Sequence, residues 1–389
     1  MERAVVKSKP KKGLAIRLAV AGSSLVVGLL VLELAARLYI ANFASEAAFK
    51  RYATLAQITE RFETLVEPHR YLGYSLTPNY EDGFNRHNSL GFRGEEIPLP
   101  KPPGEFRIVC LGGSTTYTLA VKNHEFSYPA LLERELHERG RTNVRVVNAG
   151  VPGYTSWETL INLQLRVLEL EPDLLIVYHA VNDINARFVW PPEAYRSDNS
   201  GRSRAMGELA APGLFKQSAL VRMVLVRLGR LESPTSFSNT IDVYPDTYYG
   251  EEFMRQIRER RFPSGIFERV AASQMLEANP PVYFLRNLES LISIARDRGI
   301  GVLLSTFASS PLFTDRPRAS SAEYIAAFAE MNACLGSLAS DQGVPLFDFA
   351  AGFPQDEDLY TDGRHLTRKG ARLKAQQFAD YLLSEKLLP

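Results

Sequence analysis

From Phe106 onward, short apolar runs alternate with longer stretches of mixed polarity. Each run has the length of a β-strand, and the first three are almost continuously apolar. That pattern is typical of parallel strands that are covered on both faces. The sequence therefore predicts five strands, which are RIVCLG (107–112), VRVVNAG (144–150), LLIVYH (174–179), GVLLST (301–306) and PLFDF (345–349).

The stretches between these runs have helical periodicity and helical end signals. Residues 127–140, for example, begin at Ser127, a favoured N-cap, and end at Gly140, a favoured residue after a helix. The succession of helix, glycine and strand occurs three times. This βαβ series predicts a parallel sheet with right-handed crossovers.

One interval, residues 186–280, interrupts the alternation, because no crossover needs that length. We interpret it as an insertion over the active edge of the sheet. Its segment 214–233, LFKQSALVRMVLVRLGRLES, has a broad apolar stripe among basic residues. A lid helix that packs on the main domain is the first interpretation, and contact with a membrane surface is the alternative.

The N-terminal region combines a basic flank with an apolar run. Six basic residues lie in the first 17, and residues 18–32 carry no charge. Fifteen uncharged residues are short for a membrane span, but Arg17, Glu33 and Arg37 can extend it by reaching towards the interfaces. We predict a basic cytoplasmic tail over 1–13 and a transmembrane signal-anchor helix over 14–40, with the rest of the chain exported. A cleaved signal peptide is the alternative, and it also exports the remainder.

The rest of the chain divides in two. Residues 41–104 predict a connecting segment that ends in a stiff linker, PLPKPP (98–103), and residues 105–389 form the main domain. The net charge of +1 gives no strong positive field that would attract nucleic acid, so we predict no nucleic-acid partner. The only cysteines, Cys110 and Cys334, form neither a disulfide framework nor a metal-binding cluster, so we predict no metal and no cofactor.

Reactive side chains follow the predicted strands at their carboxyl ends, where ligands bind in open parallel sheets. Ser114 follows the first strand and needs a base to become a nucleophile. His365 can be that base, and Asp362, three residues earlier, can orient its imidazole. The amides of Ser114 and Gly150 and the side chain of Asn182 are donors suited to an oxyanion hole. Gly150 fits because a Cβ would hinder the substrate oxygen.

Four blocks of this chain resemble those of the SGNH (GDSL-type) hydrolase superfamily. They are LGGSTT (111–116), VVNAGVPGYT (146–155), YHAVNDIN (178–185) and LYTDGRHLTRKGARLKAQQFADYL (359–382). The segment HNSLGFRGEE (87–96) resembles one that precedes the domain in membrane-anchored bacterial members. The resemblance covers residues 105–389 apart from the insertion. It implies a three-layer α/β/α, flavodoxin-like fold with five parallel strands in the order 2-1-3-4-5.

Two positions depart from the family pattern. Gly113 replaces the usual Asp before the nucleophile, and Ala180 replaces a Gly two residues before Asn182. The first departure has no explanation in the sequence. The second adds a methyl group that would narrow the oxyanion hole.

The sequence thus predicts a membrane-anchored serine ester hydrolase that works through an acyl-serine intermediate. Its catalytic domain would lie outside the cytoplasm, in the periplasm or at the cell surface. Its substrate would be an acylated carbohydrate, a lipid or a small ester. One alternative is an O-acyltransferase that acts on a cell-envelope polysaccharide. A second is a non-catalytic envelope scaffold, which would not need all five site residues.

Overall fold

The computed structural model describes residues 12–54, 57, 64–188, 192, 195–198, 218–228 and 271–389. The chain divides into two compact units. The N-terminal unit comprises Met1–Thr54 with Pro212–Pro234, and the sheet unit comprises Leu55–Ala211 with Thr235–Pro389.

The α-helices are, in chain order, α1 (Lys12–Leu38), α2 (Glu46–Tyr52), α3 (Ser114–Tyr117), α4 (Tyr128–Glu138), α5 (Ser156–Asn162), α6 (Val181–Arg187), α7 (Ala219–Arg227), α8 (Ala272–Ala278), α9 (Val282–Asp297), α10 (Pro317–Ser320), α11 (Ala322–Gln342), α12 (Phe349–Gly352) and α13 (Arg368–Ser384). The strands are β1 (Val66–His69), β2 (Gly73–Leu76), β3 (Glu81–Asp82), β4 (Asn85–Arg86), β5 (Phe106–Gly112), β6 (Val144–Gly150), β7 (Leu174–Tyr178), β8 (Gly301–Ser305) and β9 (Leu346–Phe347).

In the sheet unit, β5 to β9 form one parallel sheet in the order β6-β5-β7-β8-β9. This is the predicted order 2-1-3-4-5, so the predicted fold class is confirmed. Helix α4 packs against α13, α5 packs against α9, and α9 packs against α11. The central strands are buried along their length, as the apolar runs predicted.

Two predicted elements differ from the observed ones. The last strand is reduced to Leu346–Phe347 because Asp348 already serves as the N-cap of α12. Residues 156–170, in the helical stretch between the second and third predicted strands, are α-helical only to Asn162, and a π-helical turn and a 3₁₀ turn complete them. Both differences lie at element ends, where local bonding patterns compete.

The connecting segment forms two small antiparallel hairpins, β1–β2 and β3–β4. Arg93 then makes an antiparallel bridge with Asn148 of β6. Strand β6 is the edge of the parallel sheet. The connecting segment therefore pairs with backbone groups of an edge that would otherwise be open.

The N-terminal unit contains α1, α2 and α7. A π-helical turn, Tyr39–Phe43, extends α1. Among the described residues, Ile16–Phe43 is long and apolar enough to cross a membrane, with 28 residues, a mean hydropathy of 2.2 in its best window and none of that window buried. By length and composition, it fits a membrane span or a signal sequence. Residues 1–11 of the predicted basic tail lie outside the described residues.

The inserted interval 186–280 is described only in part. Helix α7 lies within the segment that was predicted to be a lid, and its described contacts are with α1 and α2. Residues 229–270 lie outside the described part of the chain. The lid interpretation stays a prediction.

Candidate active site

The candidate nucleophile lies at the sharp turn between β5 and α3. Strand β5 ends at Gly112, and Ser114 is the first residue of α3. A Cβ at Gly112 would lie 2.1 Å from Thr116 Oγ1 and 2.5 Å from the carbonyl oxygen of Tyr178. Only glycine allows so close an approach, so this residue fixes the turn that presents Ser114 at the carboxyl edge of the sheet.

Ser114, His365 and Asp362 form a continuous chain of hydrogen-bond contacts. Ser114 Oγ lies 2.7 Å from His365 Nε2, and His365 Nδ1 lies 2.8 Å from Asp362 Oδ2. All three residues are buried. In this arrangement the carboxylate can hold the Nδ1–H tautomer, which leaves Nε2 able to accept the serine proton.

Asp362 is held by donors from its own loop. Its Oδ1 accepts hydrogen bonds from the backbone N–H groups of Arg364 at 3.0 Å and His365 at 2.7 Å. Its Oδ2 accepts a further bond from Arg364 Nη2 at 2.9 Å, besides facing the imidazole. The Asp-x-x-His loop therefore helps to fix the carboxylate, and Arg364 is a contributor to which the sequence assigned no role.

Asn182 lies in the first turn of α6, and its amide points towards the turn between β5 and α3. Its Nδ2 donates to the carbonyl oxygen of Tyr154 at 2.9 Å. A Cβ at Gly113 would lie 2.7 Å from Asn182 Nδ2 and 3.2 Å from Tyr154 O. In this structure a side chain at position 113 would therefore collide with the Asn182 amide, so the packing here favours glycine.

Gly150 ends β6 beside α3. A Cβ at this position would lie 2.3 Å from the amide nitrogen of Tyr117. Its own N–H donates to Asn148 Oδ1 at 3.1 Å. The glycine is thus required by backbone packing against α3, which is a different reason from the expected room for a substrate oxygen. Its role as an oxyanion donor stays a prediction, as does the narrowing expected from Ala180, which is buried directly before α6.

The comparisons with known proteins bear on the whole sheet unit. The sequence model of the GDSL-like lipase/acylhydrolase family matches residues 110–373. The chain belongs to this family. That match covers more than half of the chain and runs from β5 to α13, so it includes every candidate site residue. As a member of the GDSL-like family, the protein is a serine hydrolase that acts on ester bonds.

Solved structures of similar proteins are remote in sequence. A GDSL-like lipase from Bacteroides thetaiotaomicron is 14% identical, with 75% of this chain and 93% of that chain covered and a TM-score of 0.39. A lipase/acylhydrolase from Enterococcus faecalis is 14% identical, with 72% and 96% covered and a TM-score of 0.40. An acetylxylan esterase from Geobacillus stearothermophilus is 13% identical, with 71% and 93% covered and a TM-score of 0.41. A comparison with curated proteins gave no significant match.

Asp183, next to Asn182, is a second residue of this GDSL-like hydrolase to which the sequence assigned no role. It accepts hydrogen bonds from Ser156 Oγ at 2.6 Å and from Ser156 N at 3.0 Å. Asn287 Nδ2 of α9 donates to the same Ser156 hydroxyl at 3.0 Å. Because Tyr154 O accepts a hydrogen bond from Asn182, residues 154–156 make hydrogen bonds to both Asn182 and Asp183.

The electrostatics of Asp183 follow from its burial. Desolvation raises the pKa of its carboxyl to about 7, and the hydrogen bonds from Ser156 only partly oppose this. The pKa of this carboxyl is therefore near neutral. The same carboxyl links α6, the helix that carries Asn182, to Ser156. The signal available in the sequence was its place beside Asn182 in the third block.

Arg93, from the segment HNSLGFRGEE, is buried behind α3. It donates to the carbonyl oxygens of Tyr117, Thr118 and Val121, at 3.0 Å for Thr118 and 2.6 Å for Val121. Its guanidinium carbon lies 4.3 Å from the Tyr117 ring centroid. Burial lowers the pKa of this arginine. The connecting segment thus supports the loop after α3 from outside the matched residues 110–373.

Proposed function

We propose that Ser114, His365 and Asp362 act as a catalytic triad that cleaves an ester through an acyl-serine intermediate. Ser114 Oγ attacks the ester carbonyl while His365 Nε2 accepts its proton. The same proton passes to the departing alcohol, and a water molecule then releases the acid in a second, equivalent cycle. The observation that carries the proposal is the contact chain of 2.7 Å and 2.8 Å through the imidazole.

The proposed oxyanion donors are the amides of Ser114 and Gly150 and the side chain of Asn182. A primary amide has two N–H groups. One of them holds Asn182 against Tyr154 O, and the other can point at the developing oxyanion. The Gly150 N–H has to share or exchange its bond to Asn148 Oδ1 when substrate binds. Each such donor lowers the activation barrier by about 3 kcal/mol.

The proposed location is outside the cytoplasm, with the N-terminal helix as anchor. The apolar helix Ile16–Phe43 and the basic residues that precede it support this orientation. An alkaline phosphatase fusion after residue 45 should be active in a bacterial host. An inactive, stably produced fusion would contradict export.

The substrate class we propose is an ester accessible from that compartment, either an acylated carbohydrate, a lipid or a small ester. The test compares full-length wild type and Ser114→Ala in detergent with short acyl p-nitrophenyl esters. We expect the variant to lose on the order of 10³-fold or more in rate. Ser290→Ala, which changes an exposed serine on α9, is the matched control and should keep full activity. Acyl groups gained by an added soluble glycan would show transfer instead of hydrolysis.

A further inference from the structure

A carboxylate lies inside the apolar helix α1 and makes a specific contact. Glu33 accepts hydrogen bonds from Ser218 Oγ at 2.6 Å and from the backbone N–H groups of Ala219 at 2.9 Å and Leu220 at 3.0 Å. It also pairs with Arg37 one turn later, at 2.7 Å. Glu33 therefore satisfies the first N–H groups of α7, which lack partners within their own helix.

A second contact fixes α7 within the N-terminal unit. Arg222 donates from Nε to Tyr52 O and from Nη2 to Ala53 O, both at 2.7 Å, and the arginine is only 2% exposed. Ala36 and Ile40 of the α1 segment are buried in the same unit. Helix α7, the end of α2 and the last turns of α1 therefore form a small bundle that begins at Glu33.

The position of Glu33 along α1 sets the depth of this bundle relative to the membrane. About 20 helical residues cross the hydrocarbon core of a bilayer. Counted from Ile16, where the apolar helix Ile16–Phe43 begins, that length ends about two residues beyond Glu33. A carboxylate is costly in hydrocarbon, and partners from a neighbouring helix reduce that cost. The start of α7 would thus lie at the boundary between hydrocarbon and headgroups.

The outer residues of α7 suit that boundary. Its sequence, ALVRMVLVR, has no acidic residue, and Arg227 is exposed, whereas Arg222 is buried within the unit. Val224 is 48% exposed, and Leu228, directly after the helix, is 67% exposed. Large apolar side chains exposed next to arginines are typical of helices that lie in a membrane interface.

We propose that α7 is a membrane-interface helix whose outer apolar residues contact lipid and whose start is held at the membrane surface by Glu33. This rests on the proposed membrane anchoring of α1. Helix α7 comes between α6 and α8 in the sequence, so the inserted interval carries the proposed interface helix.

The experiment measures the lipid exposure of single spin labels on the full-length protein in phospholipid nanodiscs. Cys334→Ser removes the more accessible native thiol, while Cys110 is fully buried. Labels are placed through Val224→Cys and Leu228→Cys. Leu30→Cys in α1 serves as the lipid reference, and Ile325→Cys on α11 serves as the water reference. The measured quantity is the ratio of collision rates with oxygen and with a water-soluble nickel chelate.

We expect the labels at 224 and 228 to give an oxygen ratio well above that of the label at 325, approaching that of the deeper label at 30. If they match the label at 325 while the label at 30 is lipid-like, the interface helix is disproved and the anchor stands. If the label at 30 is also water-like, the anchor fails and this inference fails with it. Ester hydrolysis of each labelled protein reports separately on the catalytic proposal.

Variants of Glu33 test the tether itself. Glu33→Ala removes the acceptor and should lower the oxygen ratio at position 224, whereas Glu33→Gln keeps an oxygen acceptor and should lower it less. An unchanged ratio in Glu33→Ala would disprove the role of Glu33 in holding α7 at the membrane.

Discussion

The acid–base side of the candidate site is assembled within one short loop, whereas the oxyanion side draws its groups from three strand ends. Asp362 is held against His365 by N–H groups of the same loop. Asn182, by contrast, depends on Tyr154 for its position and faces a glycine on a third segment. The first side is a local motif that can be recognised in sequence. The second is a packing arrangement that distant substitutions can disturb.

The largest effect is expected on the acid–base side. His365→Ala removes the proposed acceptor of the Ser114 proton, so hydrolysis should fall on the order of 10³-fold or more. Thermal stability should change little, because the two backbone N–H groups and the Arg364 side chain that bond to Asp362 remain in the variant. Steady-state rates and a melting curve on the same sample check this. Residual activity within tenfold of wild type would mean that another base serves Ser114.

A smaller loss is expected on the oxyanion side. Asn182→Ala removes one donor and should reduce kcat by about 10²–10³-fold with a smaller change in KM. The split between kcat and KM is the informative readout, because an oxyanion donor acts mainly in the transition state. A rise in KM with unchanged kcat would place Asn182 in ground-state binding instead.

A still smaller effect should come from the glycine beside that donor. In Gly113→Ala the new methyl group meets Asn182 Nδ2 at 2.7 Å, so the amide has to shift. We expect a loss of activity of up to about 10²-fold. Gly336→Ala is the matched control, since its methyl group would have 3.9 Å to the nearest atom, Leu346 Cδ2. If Gly113→Ala has wild-type activity, the packing explanation for this position is wrong.

The smallest effect concerns pH and Asp183. Burial raises the pKa of its carboxyl from 3.8 to about 7, so between these values the folded protein holds a proton that the unfolded chain has lost. The free energy of unfolding therefore falls as the pH rises through this window. Asp183→Asn removes the titrating group, so its Tm should fall less between pH 5 and pH 8 than that of wild type. Equal falls in Tm would assign the titration to another group.

The sequence could predict whatever depends on local periodicity and on residues close together in the chain. The parallel sheet followed from the βαβ series, and its strand order followed from the family resemblance. Asp362 and His365 lie three residues apart in one block. The predicted ends of β9 and α5 differ from the observed ends, because residues there have competing local hydrogen bonds. Strand ends could be assigned to one edge of the sheet because parallel strands share it.

Contacts between distant segments could not be predicted in this way. Gly113 is explained only by the Asn182 amide that comes from α6, and Arg93 only by the carbonyl groups after α3. The sequence predicts only that Glu33 lies near the end of a membrane span. Its hydrogen-bond donors, Ser218 and Ala219, lie in the insertion. Pairs like these depend on the folded path of the chain and leave no periodic signal.

The most direct test of the account is the position of the acyl group during turnover. Full-length protein is mixed with p-nitrophenyl acetate, quenched in acid within the first turnovers, digested and analysed by mass spectrometry. The account predicts one acetyl group on Ser114, and none in the Ser114→Ala protein. An acetyl group on another residue, or equal p-nitrophenol release by both proteins without acetylation of Ser114, would contradict it.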